Sequence, residues 1–397
     1  MAYKKIPTEA ILFFVISILF FISITSFDPF VSSYASELGI PPVMIGSIVG
    51  ITGLASMFTR LPLGVLSDIF LKRKLFIQIG LTITIVSWSI AFMNPNEYTL
   101  FIGKLSNGFT GSTWVIYTVM FAGFFKAGQS AKAMAMISVA SPLGSFLGST
   151  IGGLVINQFD YAASFLVAVI SALIAFLLTF FIREVAVSSK SPKYHKSIFT
   201  NQIMDKSLWT ISILGIITQM VMYGTRDSFT PLLAQNLGAT PIIISWLSNT
   251  HLILFGISTA LCPLFYKHIG LKNTGILGFA LQGCMVILLP FSPNLPVMFL
   301  LQAVAGIAYG LNFTFLMSII LENAKQQEKT TRMGFFQSFY SIGVFCGPLL
   351  MGFLIETFSG VVGYTIIGII SVVAALLTKV LIYREVPSRE EKLRYSS

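Results

Sequence analysis

The sequence predicts an all-α integral membrane protein: twelve transmembrane helices in two parallel-related six-helix bundles, with both termini cytoplasmic. Three observations predict it. Of 397 residues, 55% are hydrophobic and only 10% charged, with a mean hydropathy of +0.84. Basic residues fall in alternate connecting segments, and the chain repeats itself at an offset of 199 residues. A soluble protein carries about 25% charged residues, and the 40 present could not cover its surface. At ~20 apolar residues per crossing, twelve crossings take ~240 residues and leave room for little but short loops. This composition excludes a soluble enzyme, a disordered chain and a secreted disulfide scaffold.

Apolar runs bounded by polar or Gly/Pro breaks lie near 10–35, 43–67, 74–93, 98–121, 134–156 and 162–182. A second set lies near 209–234, 242–265, 274–293, 297–321, 333–356 and 362–382. Their lengths suit helices that cross hydrocarbon, some of them tilted. The first run follows Lys4 and Lys5 as a signal peptide would, but it has a matching partner in the second set and is read as a helix. Cys262, Cys284 and Cys346 all sit in apolar runs, which predicts buried thiols rather than a disulfide or metal framework.

Lys and Arg set the orientation. With the N-terminus inside, 22 of the 25 basic residues fall in cytoplasmic segments, among them Lys72, Arg73 and Lys74. The outer loops hold acids instead, such as Glu37, Glu97, Asp160 and Glu356. The three remaining basic residues, Arg60, Lys104 and Arg226, lie within helices. An even number of crossings follows.

The offset of 199 pairs Asp28 with Asp227, Phe30 with Phe229, Leu38-Gly39 with Leu237-Gly238, and Pro42 with Pro241. Far downstream it still pairs Gly144, Gly148 and Gly153 with Gly343, Gly347 and Gly352. Both halves close on Arg-Glu-Val, at 183–185 and 384–386. The predicted organisation is an N-terminal bundle over 1–185, a cytoplasmic linker over 186–206, and a C-terminal bundle with a short tail over 207–397. A cavity is expected between the bundles.

The segment after the second run reads G-V-L-S-D-I-F-L-K-R-K over 64–74. Gly64, Leu66, Asp68, Lys72 and Arg73 resemble the helix 2–3 signature of the major facilitator superfamily, with Ile69 and Leu71 in place of its Arg and Gly. G-S-F-L-G-S-T-I-G-G over 144–153 resembles the antiporter signature of that superfamily, with Ser149 replacing its proline. Gly343, Gly347 and Pro348 stand at the corresponding place in the second half, and Gly103-Lys104-Leu-Ser-Asn-Gly108 resembles the helix 4 element with Lys for Arg. The resemblance spans the chain and implies a transporter working by alternating access.

Glycines at four-residue spacing make a flat face on which helices approach closely. Gly144, Gly148, Gly152 and Gly153, and Gly343 with Gly347 and Pro348, are therefore expected at helix contacts, read either as packing or as a rocking contact between the halves. Gly64, Asp68, Lys72 and Arg73 are expected to form a conformational gate, with Asp68 against the positive N-terminus of the helix opening near Thr330–Met333. On this expectation Asp68→Asn slows turnover and leaves equilibrium ligand affinity within a few-fold. Wild-type transport rates in that variant would remove the role.

Charge inside the bilayer is the strongest chemical signal. Asp28, Arg60, Lys104, Arg226 and Asp227 each cost about 2.5–3.5 kcal/mol near a helix centre if unpaired. They must therefore pair or line water. At ~1.5 Å per residue, Asp28, Lys104 and Asp227 all fall roughly 8–9 Å to the outer side of their helix midpoints, so an Asp28–Lys104 pair is expected. Arg60 falls in the inner half and reads as structural. Arg226 and Asp227 are adjacent, point about 100° apart on an α-helix, and are not expected to share one partner.

Asn249, His251, Asn312, Gln337 and Tyr340 are neutral polar residues on helices 8, 10 and 11, which line the cavity in the superfamily, and they are candidate substrate contacts. Gln282 reads as an interhelical hydrogen bond, and Trp209 and Trp246 as interfacial anchors. No P-loop, H-E-x-x-H or paired C-x-x-C motif occurs; no enzyme activity, cofactor or metal is expected. The energy source is then an ion gradient or the solute's own. The sequence reads as a monomeric multi-pass protein of the plasma membrane, exporting a small amphipathic compound or metabolite against protons, with no nucleic-acid partner. The alternatives are proton-linked uptake of a sugar, organic anion or peptide, in which Lys104 or Arg226 binds substrate, and a non-transporting sensor.

Overall fold

The computed structural model describes residues 8–125, 129–184, 205–322 and 329–381. The first helix, α1, runs Thr8–Thr25, passes through a 3₁₀ turn at Asp28–Phe30 and resumes over Val31–Glu37. It is followed by α2 (Pro42–Phe70), α3 (Arg73–Met93), α4 (Glu97–Ser112, continued after a break at Thr113 by Trp114–Gly123), α5 (Ser130–Gln158) and α6 (Ala163–Thr179). The second set begins with α7, Lys206–Gly224, which runs through a π turn at Thr225–Phe229 into Thr230–Asn236. Then come α8 (Pro241–Ile269), α9 (Leu271–Leu288), α10 (Leu295–Glu322), α11 (Lys329–Thr357) and α12 (Gly360–Leu381). Among the described residues there are no strands, and ten helical segments are long and apolar enough to cross a membrane. The other two expected crossings correspond to the broken α4 and to α6, which at 17 residues is a shorter apolar helix. Most of the linker lies outside the described residues, as does the side chain of Asp68.

Local chemistry sets the ends. Prolines open α2 and α8, where the missing N–H would have no intrahelical partner. Asn96 caps α4 in a reciprocal box with Thr99, and Asp205 accepts the Ser207 N–H at 2.9 Å to cap α7. The repeat survives in the backbone: α2 and α8, and likewise α5 and α11, start and stop 199 residues apart. Gly39 and Gly238 both take positive φ, 74° and 84°, at the turns that close α1 and α7. There Ile40 and Ala239 donate back to the carbonyls of Ala35 and Ala234.

Leu71 and Gly270 form a third such pair, with φ of 53° and 83°. The left-handed turn is thus kept in the first half although its glycine is gone. A leucine there is strained by about 1–2 kcal/mol and, 59% exposed, recovers little of that by burial. Leu71→Gly is expected to raise the thermal midpoint in detergent by a few degrees, because relief of strain exceeds the ~0.5–1 kcal/mol entropic penalty of glycine. An unchanged or lower midpoint would show that the turn tolerates its side chain.

The helices of the two halves meet along two seams. In the first, α2 lies on α11: a Cβ on Gly46 would overlap the Pro348 carbonyl, one on Gly50 would sit 2.5 Å from the Phe345 carbonyl oxygen, and one on Gly352 would overlap the Pro42 carbonyl. The second joins α5 to α8, where a Cβ on Gly153 would strike Ser245. Both seams lie toward the end that carries Glu37, Glu97, Asp160 and Glu356, here termed the acidic end. There Glu356 accepts the Val43 N–H at the start of α2 (2.9 Å), and Gln235 donates to Glu37 at 2.9 Å. Glu37 also bonds Tyr161, whose phenol is pushed well up by burial and by the Glu37 charge, so the hydroxyl stays a donor. Toward the opposite, basic end, an added Cβ on Gly64 or Gly334 would meet nothing within 4 Å among the described residues.

The glycine stripes divide their work. Gly144, Gly148 and Gly152 meet Ile18, Phe21, Ile22, Thr25 and Ser26 of α1, inside their own half. Gly343 and Gly347 meet Ile216 and Met220 of α7 in the same way. Only the next face round, Ser149 with Gly153 and Pro348 with Gly352, crosses to the other half. Most of the stripe is therefore packing within a half.

Candidate functional site

The site begins with two broken helices. Pro29 has no N–H to continue α1, and the chain tightens into the Asp28–Phe30 turn. In α7, Pro231 removes the donor that would serve the Asp227 carbonyl, and the preceding turn widens to π geometry over Thr225–Phe229. Asp28 and Asp227 thus sit at equivalent breaks. Nearby, Asn107 on α4 donates to the Ile24 carbonyl just before the α1 break (2.9 Å) and accepts from the indole of Trp88 at 3.0 Å.

The Lys104 ammonium donates to Asp28 Oδ1 at 2.6 Å, so the expected pair forms. Its two members are unequally placed. The lysine side chain is 6% exposed and the aspartate 39%. Lys104 is further held by Thr52, which donates to its carbonyl at 3.1 Å.

Arg226 and Asp227 correct the expectation that neighbours on a helix serve different partners. The guanidinium bonds its own neighbour, Asp227, and also donates to the Ser248 carbonyl at 3.2 Å. The widened turn and the long, foldable arginine stem bring together charges that an ideal α-helix would splay. Asp227 lies within electrostatic reach of Asp28 and Lys104 as well, so the four charges form one neutral group. Arg60 is half-buried on α2 and has no ion-pair partner among the described residues.

The neutral candidates are distributed differently. His251 is 3% exposed, with Nδ1 3.1 Å from Gln302 Oε1 and Nε2 without a partner among the described residues. Its ring lies 6.0 Å from Tyr309, whose hydroxyl donates to Gln219 at 3.0 Å. Tyr340, half-buried, packs on Phe336, and Gln337 is half-buried one turn earlier on α11. Two candidates point elsewhere. Asn312, fully buried, donates to Gln282 at 2.7 Å, which bears out the structural reading of Gln282 and draws Asn312 away from an open cavity. Asn249, 1% exposed, is held in the α5/α8 seam by Ser149 (2.7 Å) and Thr150 (2.9 Å). Nothing in the sequence singles out Gln219, Gln302 and Tyr309. Their one signal is polar side chains at helical spacing on α7 and α10, which is too common to select them.

At the basic end, Lys72 is exposed and Arg73 buried. Glu184 meets the N-terminus of α3 there, accepting the N–H groups of Arg73 (2.9 Å) and Lys74 (3.1 Å); the expected contact of Asp68 lies outside the described residues. In the second half, Asp205 adds to its cap an ion pair with Arg332 at 2.5 Å. Trp209 packs edge-on against Phe335 and Phe339 of α11 rather than standing alone as an anchor, whereas Trp246 is 45% exposed. Cys262 is buried as expected, but Cys284 is exposed on α9 and Cys346 partly so. An apolar run on a lipid-facing helix need not be buried in protein. Among the described residues no group of three His, Cys, Asp or Glu could hold a metal.

Residues 13–232 and 212–397 both match the model of the Major Facilitator Superfamily. An uncharacterized MFS-type transporter of Methanocaldococcus jannaschii is 22% identical over 369 residues, covering 90% of this chain and 93% of that protein. The multi-drug resistance efflux pump PmrA of Streptococcus pneumoniae is 25% identical over 227 residues, covering 55% of this chain and 56% of that one. Among solved structures, the nucleoside transporter NupG superposes with a TM-score of 0.78 at 18% identity, covering 95% of this chain and 99% of NupG. A bacterial homolog of the human lysosomal transporter Spinster, in an inward-facing and occupied conformation, gives 0.79 at 13% identity, covering 94% and 96%. At these identities the structural likeness is one of fold.

Proposed function

The chain belongs to the Major Facilitator Superfamily, a multi-pass membrane transporter and not an enzyme, and from that premise we propose that it exports a small amphipathic compound in exchange for protons. It does so by alternating access, with twelve crossings and both termini in the cytoplasm of a cell whose plasma membrane it spans. The observation that carries the reading is the Asp28–Lys104 pair, with its exposed acid and buried base. A carboxylate favours its neutral form more when a neighbouring cation moves away. If rocking of the halves draws Lys104 and Asp28 apart, Asp28 takes up a proton on one side and releases it on the other. Arg226 and Asp227, at the equivalent break of the second half, carry the same chemistry as a pair of adjacent residues. Gln337 and Tyr340, both half-buried, contribute polar contacts to a neutral or amphipathic solute. The likeness to a multi-drug efflux pump over half the chain supports export.

The seams add the direction of opening. They close the acidic end, an arrangement that fits a state open to the cytoplasm. The uptake reading requires Lys104 or Arg226 to bind substrate, and both are already engaged and little exposed.

Reconstitution in proteoliposomes tests the proposal, after a thermal-shift screen against metabolites and lipophilic cations has supplied a ligand. Export predicts that an opposing pH gradient drives the solute uphill. Uphill movement in the same direction as protons would replace antiport with symport. Movement indifferent to the pH gradient would remove proton coupling.

A further inference from the structure

The two seams between the halves occupy equivalent positions but are built from opposite chemistry. At the 199-residue offset, Gly46 and Gly50 on α2 correspond to Ser245 and Asn249 on α8, while Ser149 and Gly153 on α5 correspond to Pro348 and Gly352 on α11. In the α2/α11 seam, glycine Cα atoms lie directly on the carbonyls of Pro348 and Phe345, and Gly352 lies on that of Pro42. That contact is backbone on backbone, made close by missing side chains. In the α5/α8 seam, side chains fill the same register. Ser245 donates to the Ser149 carbonyl at 2.8 Å, the Ser149 hydroxyl donates to Asn249 Oδ1 at 2.7 Å, and Asn249 Nδ2 donates to Thr150 Oγ1 at 2.9 Å. Ser149, Ser245 and Asn249 are 4%, 0% and 1% exposed. The chain of bonds starts at the residue that replaces the antiporter signature's proline. A proline at position 149 keeps a carbonyl for Ser245 but has no hydroxyl for Asn249.

We propose that Ser149, Ser245 and Asn249 form a polar latch that sets how often the acidic-end gate opens, while the α2/α11 seam acts as the packed, less hydrated partner. This rests on the alternating-access reading. Opening the α5/α8 seam exchanges three protein–protein hydrogen bonds, two of them buried, for bonds to water, so each carries a modest net preference for the closed state. The groups that part at these three positions are hydrophilic, so water can take the place of each bond, whereas the Phe146–Trp246 ring contact across the same seam is lost without such replacement. The glycine seam has no such side-chain groups at its equivalent positions. Asn249 is therefore a positioning residue that acts through the conformational balance, and no contact of Asn249 with the solute is required.

The test measures distance across the seam by pulsed electron resonance, with spin labels on Asn157→Cys and Thr240→Cys in a background without the three native cysteines. Both labelled positions are exposed at the acidic end. Ser149→Ala removes one bond, and Asn249→Leu removes two. Each bond lost is expected to raise the long-distance population about five-fold, and transport kinetics should show altered turnover with solute affinity changed by the same population factor. Because no ligand or gradient is needed, the readout is separate from proton coupling. A wild type with two populations that neither substitution moves, in variants that remain monodisperse and melt normally, overturns the latch alone. A single distance in the wild type under every pH and ligand overturns alternating access and the latch with it. Should Asn249→Leu fail to fold, Ser149→Ala decides the matter.

Discussion

Asp28→Asn is expected to abolish solute accumulation driven by a pH gradient while leaving solute counterflow, the exchange of labelled for unlabelled compound, within a few-fold of wild type. The amide keeps the shape and a hydrogen-bond acceptor for Lys104 but cannot bind and release a proton. Lys104 loses its counter-ion, and because it is 6% exposed the unpaired ammonium is also destabilising. Thermal stability must therefore be measured beside transport, and Asp28→Glu, which restores the charge, should recover gradient-driven activity in part. Undiminished accumulation by Asp28→Asn would rule out Asp28 as the obligatory proton site. Asp227, at the equivalent break, would then be the next to substitute.

The second large effect concerns the face that α5 presents to α1. Gly152→Leu is expected to destabilise by about 1–3 kcal/mol or more and to stop transport. A Cβ at Gly152 would overlap the Ser26 carbonyl and stand 3.3 Å from the Phe30 ring. Ser26 and Phe30 flank Asp28, so the displaced backbone carries the ion pair with it. Gly148 is the more forgiving position, because its nearest neighbour, at 2.5 Å, is the Thr25 hydroxyl, which can rotate. The control is Gly256→Ala, which meets nothing within 4 Å and should be neutral or slightly stabilising. Normal melting and transport by Gly152→Leu would mean that α1 and α5 do not meet at this face in the working protein.

Much of this was legible because membrane insertion imposes one-dimensional rules. Hydrocarbon thickness fixes the length of an apolar run, so the helix positions could be read from hydropathy. The cost of a charge in lipid made Asp28, Lys104, Arg226 and Asp227 stand out, and shared depth along two helices was enough to pair Asp28 with Lys104. The 199-residue offset anticipated the matched positive-φ turns at Gly39 and Gly238. It also predicted which glycines would be equivalent, since a duplicated backbone needs the same close approaches twice.

What the sequence could not determine was azimuth: the direction a side chain takes around its helix once that helix is bent and packed. Arg226 and Asp227 pair within the widened turn that precedes Pro231, a local geometry that an ideal helix does not have. Asn249 and Asn312 carry the same amide and the same apparent promise, yet one bridges the halves and the other bonds α9, according to which neighbour each helix face meets. The sequence by itself determined the membrane class, the helices, the repeat and the intramembrane charges, because each follows from local composition against the bilayer. Tertiary structure decided which glycines join the halves, where Ser149 sends its hydroxyl and which member of each ion pair faces open space. Those depend on contacts between segments about 100 to 300 residues apart, whose geometry no local pattern contains.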